Sequence, residues 1–307
     1  MNRRSFLIRS SLAVSAGLLS RSLLQAQPAP AAPLVTAFHP LRRNVGYFTG
    51  RGGSIGWLSN RDALAAIDTQ FPDPAAKFLA DLPGRNGRSL DVLVNTHHHG
   101  DHVGGNAVFR PATKKIVAHA NVPDLMRAAA TRAKQPTDNL VIADTTFTDT
   151  WKMEVGDEVI SARYFGAAHT KGDIVVMFEK ANVVHMGDLM FNRIYPVIDR
   201  VGGASIRGWM GVLEKVAADY PADTLYIFGH SHATNPKFPV TGTKAELLTF
   251  RDYLSGLLDY TQKQIAAGKT REEIVSLENL PGFEDYHVER NSRLPGNLGV
   301  AFDELKG

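Results

Sequence analysis

The chain contains no cysteine among its 307 residues, which excludes disulfide staples, thiolate metal ligands and a cysteine nucleophile. It has no apolar run long enough to span a bilayer. It carries no block of like charges and no internal repeat with a period of about 20 to 50 residues, so a solenoid or propeller is excluded. A basic surface is also missing, although the formal charge is +3. Residues 1–26 hold Arg3, Arg4, Arg9 and Arg21 and no acidic residue or lysine; without them 34 − 4 = 30 basic side chains face 31 acidic ones, a net charge of −1. That balance speaks against nucleic acid as a partner.

What is present begins with a leader. Asn2-Arg3-Arg4-Ser5-Phe6-Leu7 resembles a twin-arginine export motif; Leu12–Leu19 is moderately apolar, and Leu24-Gln25-Ala26 offers a cleavage site. The apolar stretch is too short and too rich in Ser and Arg for a stable membrane span. The expectation is a signal over 1–26, a Pro/Ala-rich linker over 27–40, and one domain over 41–307, helical from about 243, in a periplasmic or secreted protein with no membrane segment once the signal is removed.

From Val45 onward, short apolar runs alternate with turns. Val45–Thr49 and Ile55–Ser59 flank Gly50–Gly53 as a hairpin, and Ala63–Ile67, Leu90–Asn95, Ile116–Ala118, Val159–Phe165, Ile174–Phe178, Val183–Met186 and Leu225–Phe228 read as strands. Pro74–Asp81, Val122–Ala133, Ser205–Tyr220 and Lys244–Ala267 have helical periodicity. Strands and helices alternate in both halves, which predicts a layered α/β fold with helices outside two sheets. The stripe of Leu247, Leu248, Leu254, Leu257, Leu258 and Ile265 is a packing face, for the domain or for a second copy in a homodimer.

The chemistry concentrates where the strand Leu90–Asn95 ends, in Thr96-His97-His98-His99-Gly100-Asp101-His102. Two residues apart, His97 and His99 can face one ion; Asp101 and His102 can serve a second beside it, with the nitrogen and oxygen donors that zinc accepts. Three more candidates stand at strand ends beside glycine: His169, Asp188 in Met186-Gly187-Asp188, and His230 in Gly229-His230-Ser231-His232.

This series resembles the metallo-β-lactamase superfamily, in residue type, in order, and in the spacings of 72, 19 and 42 between His97, His169, Asp188 and His230. The resemblance implies an αββα sandwich and two Zn2+ ions, with iron or manganese as alternatives. It implies one site from His97, His99 and His169, a second from Asp101, His102 and His230, and Asp188 bridging them, as in lactonase-like and glyoxalase-II-like branches. It further implies a hydrolase whose metal-bridged hydroxide attacks a small carbonyl substrate (β-lactam, lactone, ester or thioester), with Asp101 moving the proton as catalytic residue. The β-lactamase subclass that uses a cysteine ligand is excluded. The competing classes are an iron-dependent persulfide dioxygenase and a non-catalytic metal-binding accessory of a periplasmic redox system.

The remaining polar residues have supporting roles in this reading. Asp68 holds the metal loop, and His98 and His232 stand behind or beside the ligands. Asn192, Arg193, Tyr195 and Arg200, in the aperiodic stretch after Asp188, are substrate-contact candidates, and Gly52, Gly53 and Ser54 form a flexible hairpin tip beside the metals. His119 and His185 are core or site-wall residues, His39 and His287 structural or exposed ones.

Overall fold

Most strands of this chain are apolar on both faces, so each sheet must be covered twice, once by the other sheet and once by helices. The computed structural model describes residues 34–232, 235–286 and 293–307. The expected leader, the linker residues up to Pro33 and His287 lie outside them.

The first sheet runs β1 (Ala37–Pro40), β2 (Val45–Thr49), β3 (Ile55–Ser59), β4 (Leu64–Ile67), β5 (Val92–Asn95), β6 (Ile116–His119) and β7 (Thr145–Phe147), in that order. The expected linker therefore ends before residue 40: Ala37–Pro40 pairs with β2 as the edge strand. In chain order the second half supplies β8 (Thr150–Val155), β9 (Glu158–Tyr164), β10 (Ile174–Phe178), β11 (Val183–His185), β12 (Phe191–Asn192), β13 (Leu225–Ile227), β14 (His230–Ser231) and β15 (Thr241–Gly242). The second sheet is ordered β15-β13-β11-β10-β9-β8, and β12 pairs with β14 apart from it.

Helices α1 (Pro72–Asp81), α2 (Gly100–Val103), α3 (Asn106–Phe109) and α4 (Val122–Arg132) follow strands of the first sheet. Helices α5 (Ile206–Asp219), α6 (Lys244–Ala266), α7 (Arg271–Val275) and α8 (Leu294–Lys306) belong to the second half.

Strand alternation sorts the core into three apolar layers. Val92 and Val94 of β5, Val117 of β6, Ile174 and Val176 of β10 and Ile227 of β13 meet between the sheets. The intervening Leu93, Ile116 and Ala118 pack outward with Phe78 of α1 and Val122 of α4. On the far side Val175, Val184 and Tyr226 pack with Trp209 of α5, Phe250 of α6 and Leu298 of α8. The result is helix, sheet, sheet, helix, the sandwich the resemblance implied. Of the α6 stripe, Leu247, Leu254, Leu257 and Leu258 are buried in this last layer, so the chain itself occupies the face that a homodimer would have used.

Because β4, β5 and β6 run parallel, as do β11 and β13, their carboxyl ends reach one common edge. The β9–β10 connection arrives there too, and Ile174 N–H donates to the Thr96 carbonyl across the two sheets at 3.0 Å.

Candidate metal centre

Irregular backbone at that edge presents the polar side chains. His97, His99, His169 and Asp188 converge in one group, and Asp101, His102, Asp188 and His230 in another, each with donor atoms within 4.8 Å of one another. Asp188 belongs to both, and its two oxygens divide the work. Oδ2 lies 3.8 Å from His97 Nε2 and 3.6 Å from His169 Nε2. Oδ1 lies 2.9 Å from His102 Nε2 and 3.3 Å from His230 Nε2. Donors bonded tetrahedrally to one ion at about 2.0–2.2 Å stand roughly 3.3–3.6 Å apart, the scale seen here.

The outer nitrogen of each imidazole dictates which nitrogen can take a cation. His169 Nδ1 is 2.8 Å from the Val197 carbonyl, which only accepts, so Nε2 carries the lone pair. His99 Nε2 is 3.0 Å from Asp199 Oδ2, leaving its lone pair on Nδ1. These two lone pairs face each other at 2.9 Å, an arrangement that needs positive charge between them. His97 Nδ1 donates to Thr96 Oγ1 at 3.0 Å, since that hydroxyl already gives its proton to Asp68. Its buried Nε2 has no hydrogen-bond partner among the described residues. These histidines are thus pre-set for a metal, and the group fits the residues present.

Asp68 organises both sets. It is fully buried, with a left-handed backbone (φ 67°) that turns the chain out of β4. Oδ1 accepts from Thr96 N–H at 2.7 Å, and Oδ2 accepts from Thr96 Oγ1 and His102 Nδ1, both at 2.7 Å. The same carboxylate therefore aims His102 directly and His97 through Thr96.

Titration behaviour follows. Burial, reinforced by neighbouring imidazoles, drives the His97 pKa well down and that of His169 to about 3. Burial opposes protonation of His102 and His230 as well, but Asp188 and Asp101 outweigh it, lifting His230 to about 9 and His102 well above its ordinary value. For Asp188 and Asp101 burial works against ionisation, yet His102 and His230 hold both pKa values below the ordinary carboxylate range. The opposite shifts reflect the charge attraction between His102 and His230 on one side and Asp188, Asp101 and, for His102, Asp68 on the other.

The groups form the floor of a cleft of ≈ 1330 Å³, whose lining includes His99, Asp101, Asp188 and His230. Asp101 is 28% exposed, with Oδ2 3.1 Å from His230 Nε2. Phe191 lies between His169 and His230, its ring stacked on His230 at 5.2 Å, so an apolar wall meets the donors.

The other expectations divide. His98 is buried behind the site, Nε2 3.5 Å from Asp199. His232 lines the cleft and belongs to neither donor set. His185 is fully buried under the hairpin tip, 3.2 Å from the Ser54 carbonyl, and His119 stacks on Tyr164. His39 stacks on Tyr47 at the cleft. Tyr195 lines the cleft too.

Three substrate-contact candidates are instead engaged in holding the fold. Asn192 is buried and donates to the Pro239 carbonyl, Arg193 pairs with Asp285, and Arg200 reaches the Ala204 carbonyl and Glu304. The tip at Gly52–Ser54 lies beside the second donor set but is tied down. Gly53 N–H donates to Asp101 O at 3.2 Å and Ser54 N–H to Gly229 O at 2.9 Å. Asp199 was missed; only the Gly202-Gly203 turn after it hints at a carboxylate folded back on its own loop.

A sequence profile described as the metallo-beta-lactamase superfamily matches residues 49–230. The chain belongs to this superfamily. A hydroxyacylglutathione hydrolase of Methylococcus capsulatus is 31% identical over 185 residues, 58% of this chain and 62% of that protein. A metallo-beta-lactamase type 2 of Elizabethkingia meningoseptica is 23% identical, over 57% of this chain and 67% of that one. The chain thus spans under two thirds of the first relative's length. Among solved structures, a metallo-beta-lactamase from Pontibacter korlensis superposes with a TM-score of 0.56 at 17% identity, covering 72% of this chain and 99% of its own, which shows the shared fold.

Proposed function

We propose that the protein is a two-zinc hydrolase of small carbonyl compounds. The observation that carries this reading is Asp188, which turns one oxygen to each of two donor sets on the floor of a cleft. His97, His99 and His169 would hold one ion, Asp101, His102 and His230 the other, with Asp188 shared. When bound, such a pair supplies Lewis acidity for a carbonyl oxygen and acidifies water toward a pKa of about 7.

The chain's own groups do the rest. Asp101 is the accessible carboxylate beside His230, placed to take a proton from attacking water and return it to the leaving atom. Asp68 fixes the two imidazoles it controls, and Phe191 keeps solvent from the inner face of His169 and His230. Among the substrates, a lactone, ester or thioester is favoured over a β-lactam by the aspartate at 188, with support from the similarity to hydroxyacylglutathione hydrolases. We also propose export by the twin-arginine route, supported by Arg3-Arg4 and the apolar stretch after it.

The test combines metal quantitation with turnover. Zinc-loaded mature protein is assayed on a panel of lactams, lactones, esters and thioesters. Two zinc ions per chain with hydrolysis of one class is the expected result. One iron per chain with oxygen uptake would replace this reading by an oxidoreductase. Replacing Arg3-Arg4 by Lys-Lys should leave the precursor unexported.

A further inference from the structure

The stretch after β12 holds two imidazoles of the first donor set from outside. The Val197 carbonyl accepts a hydrogen bond from His169 Nδ1–H at 2.8 Å, and Asp199 Oδ2 accepts one from His99 Nε2–H at 3.0 Å. Asp199 is itself fixed: Gly202 N–H donates to its Oδ1 at 2.8 Å, and its own N–H donates to the His169 carbonyl at 3.3 Å. Lys171 N–H closes the strap on the Gly202 carbonyl at 2.9 Å, and Ser205 N–H does so on the Ala168 carbonyl at 3.0 Å. The opposite side of the same strap is cleft wall, through Ile194, Tyr195 and Val197.

We propose that Asp199 is a positioning residue for the first metal site, fixing the tautomer of His99 and thereby joining metal affinity to the order of the substrate wall. This rests on the metal reading above. Among the described residues, Asp199 is the carboxylate acceptor at His99 Nε2, and that contact selects Nδ1 as the bare nitrogen. Partners of this kind outside the ligands typically change metal affinity by about 10–100-fold.

Two substitutions remove the contact by independent routes. Asp199→Ala deletes the acceptor. Gly202→Ala keeps the carboxylate but places a methyl 2.2 Å from Asp199 Oδ2, forcing that oxygen off His99. Asp199→Asn retains a neutral acceptor and serves as rescue.

Zinc affinity is measured by chelator competition on metal-free protein, with cobalt(II) spectra reporting the coordination of the first site. Both Asp199→Ala and Gly202→Ala should weaken one of the two ions by about 10–100-fold and alter the cobalt spectrum, while Asp199→Asn stays closer to the parent. Zinc should slow amide exchange across 194–203 in the parent and fail to do so in Asp199→Ala at the same concentration. Unchanged affinity for both ions in the two disrupting variants would overturn the proposal. A uniform weakening of both ions with loss of metal-free thermal stability would overturn it also, by showing a merely structural loop. A parent chain that binds no zinc would instead remove the metal reading itself.

Discussion

At the residue scale, the donor groups differ in what their loss should do. Asp101 is the accessible carboxylate of the second set, so Asp101→Asn should keep most of the bound metal while turnover falls by about 10²–10⁴-fold, the usual worth of a positioned proton carrier. Metal content and kcat measured on one preparation check this, and unchanged kcat would remove Asp101 from the chemistry. His230→Ala should lower the stoichiometry from two ions to one, because His232 stands outside both sets. Two tightly held ions in that variant would show that His232 moves in. Sequence reached the seven donor positions because each follows a strand and sits in a short polar segment, where a ligand is the economical explanation. It did not reach Asp199, whose partner in space is 100 residues away. Nor could it tell that Asn192, Arg193 and Arg200 spend their polar groups on backbone and ion pairs, since a polar side chain in an aperiodic stretch reads the same either way.

At the element scale, the β2–β3 hairpin tip is a wall whose thickness is set by glycine. A Cβ at Gly53 would lie 2.2 Å from His102 Cε1. Gly53→Ala should therefore displace His102 and empty the second donor set without unfolding the domain, seen as loss of one metal equivalent with an unchanged far-UV circular dichroism spectrum. Retention of both ions would mean that the hairpin yields instead. Elements with regular alternation or helical periodicity were legible, α5 and α6 to within a residue or so at each end. Those missed had their signal masked. β8 alternates exposed and half-buried residues at a sheet edge, and α8 carries Pro295, Gly296 and Gly299, which read as breakers. Helix α8 persists because Leu294, Leu298 and Ala301 bury against the layer containing α6, and full burial of one such leucine is worth about 1.5–3 kcal/mol.

At the scale of the whole molecule, stability of the metal-free protein should peak in the histidine range. His169 and His185, with folded pKa values of about 3 and 4, and His97, held well below its ordinary value by burial, are buried neutral. The unfolded chain takes up protons at these sites below about pH 6.5, so stability falls from there toward the folded values, by up to about 1.4 kcal/mol per pH unit for each proton. His230 acts in the opposite sense: raised to about 9, it stabilises fully below pH 6.5, and that contribution is lost as pH rises through 9. Thermal melts in chelator should therefore decline on both sides of about pH 6.5, and zinc should abolish the alkaline decline, because the ion replaces the protons on His102 and His230. A flat profile in chelator would contradict the buried neutral histidines.

Each donor set draws two groups from before residue 110 and two from after residue 165: His97 and His99 with His169 and Asp188, Asp101 and His102 with Asp188 and His230. A chain divided in the exposed segment near residue 135 would leave each fragment with half of both coordination spheres. Neither fragment could chelate a dication firmly on its own, so zinc would act as the adhesive that recruits one piece to the other. Reassociation of the two fragments, titrated with zinc, would then convert the architecture of this sandwich into a measurable binding constant.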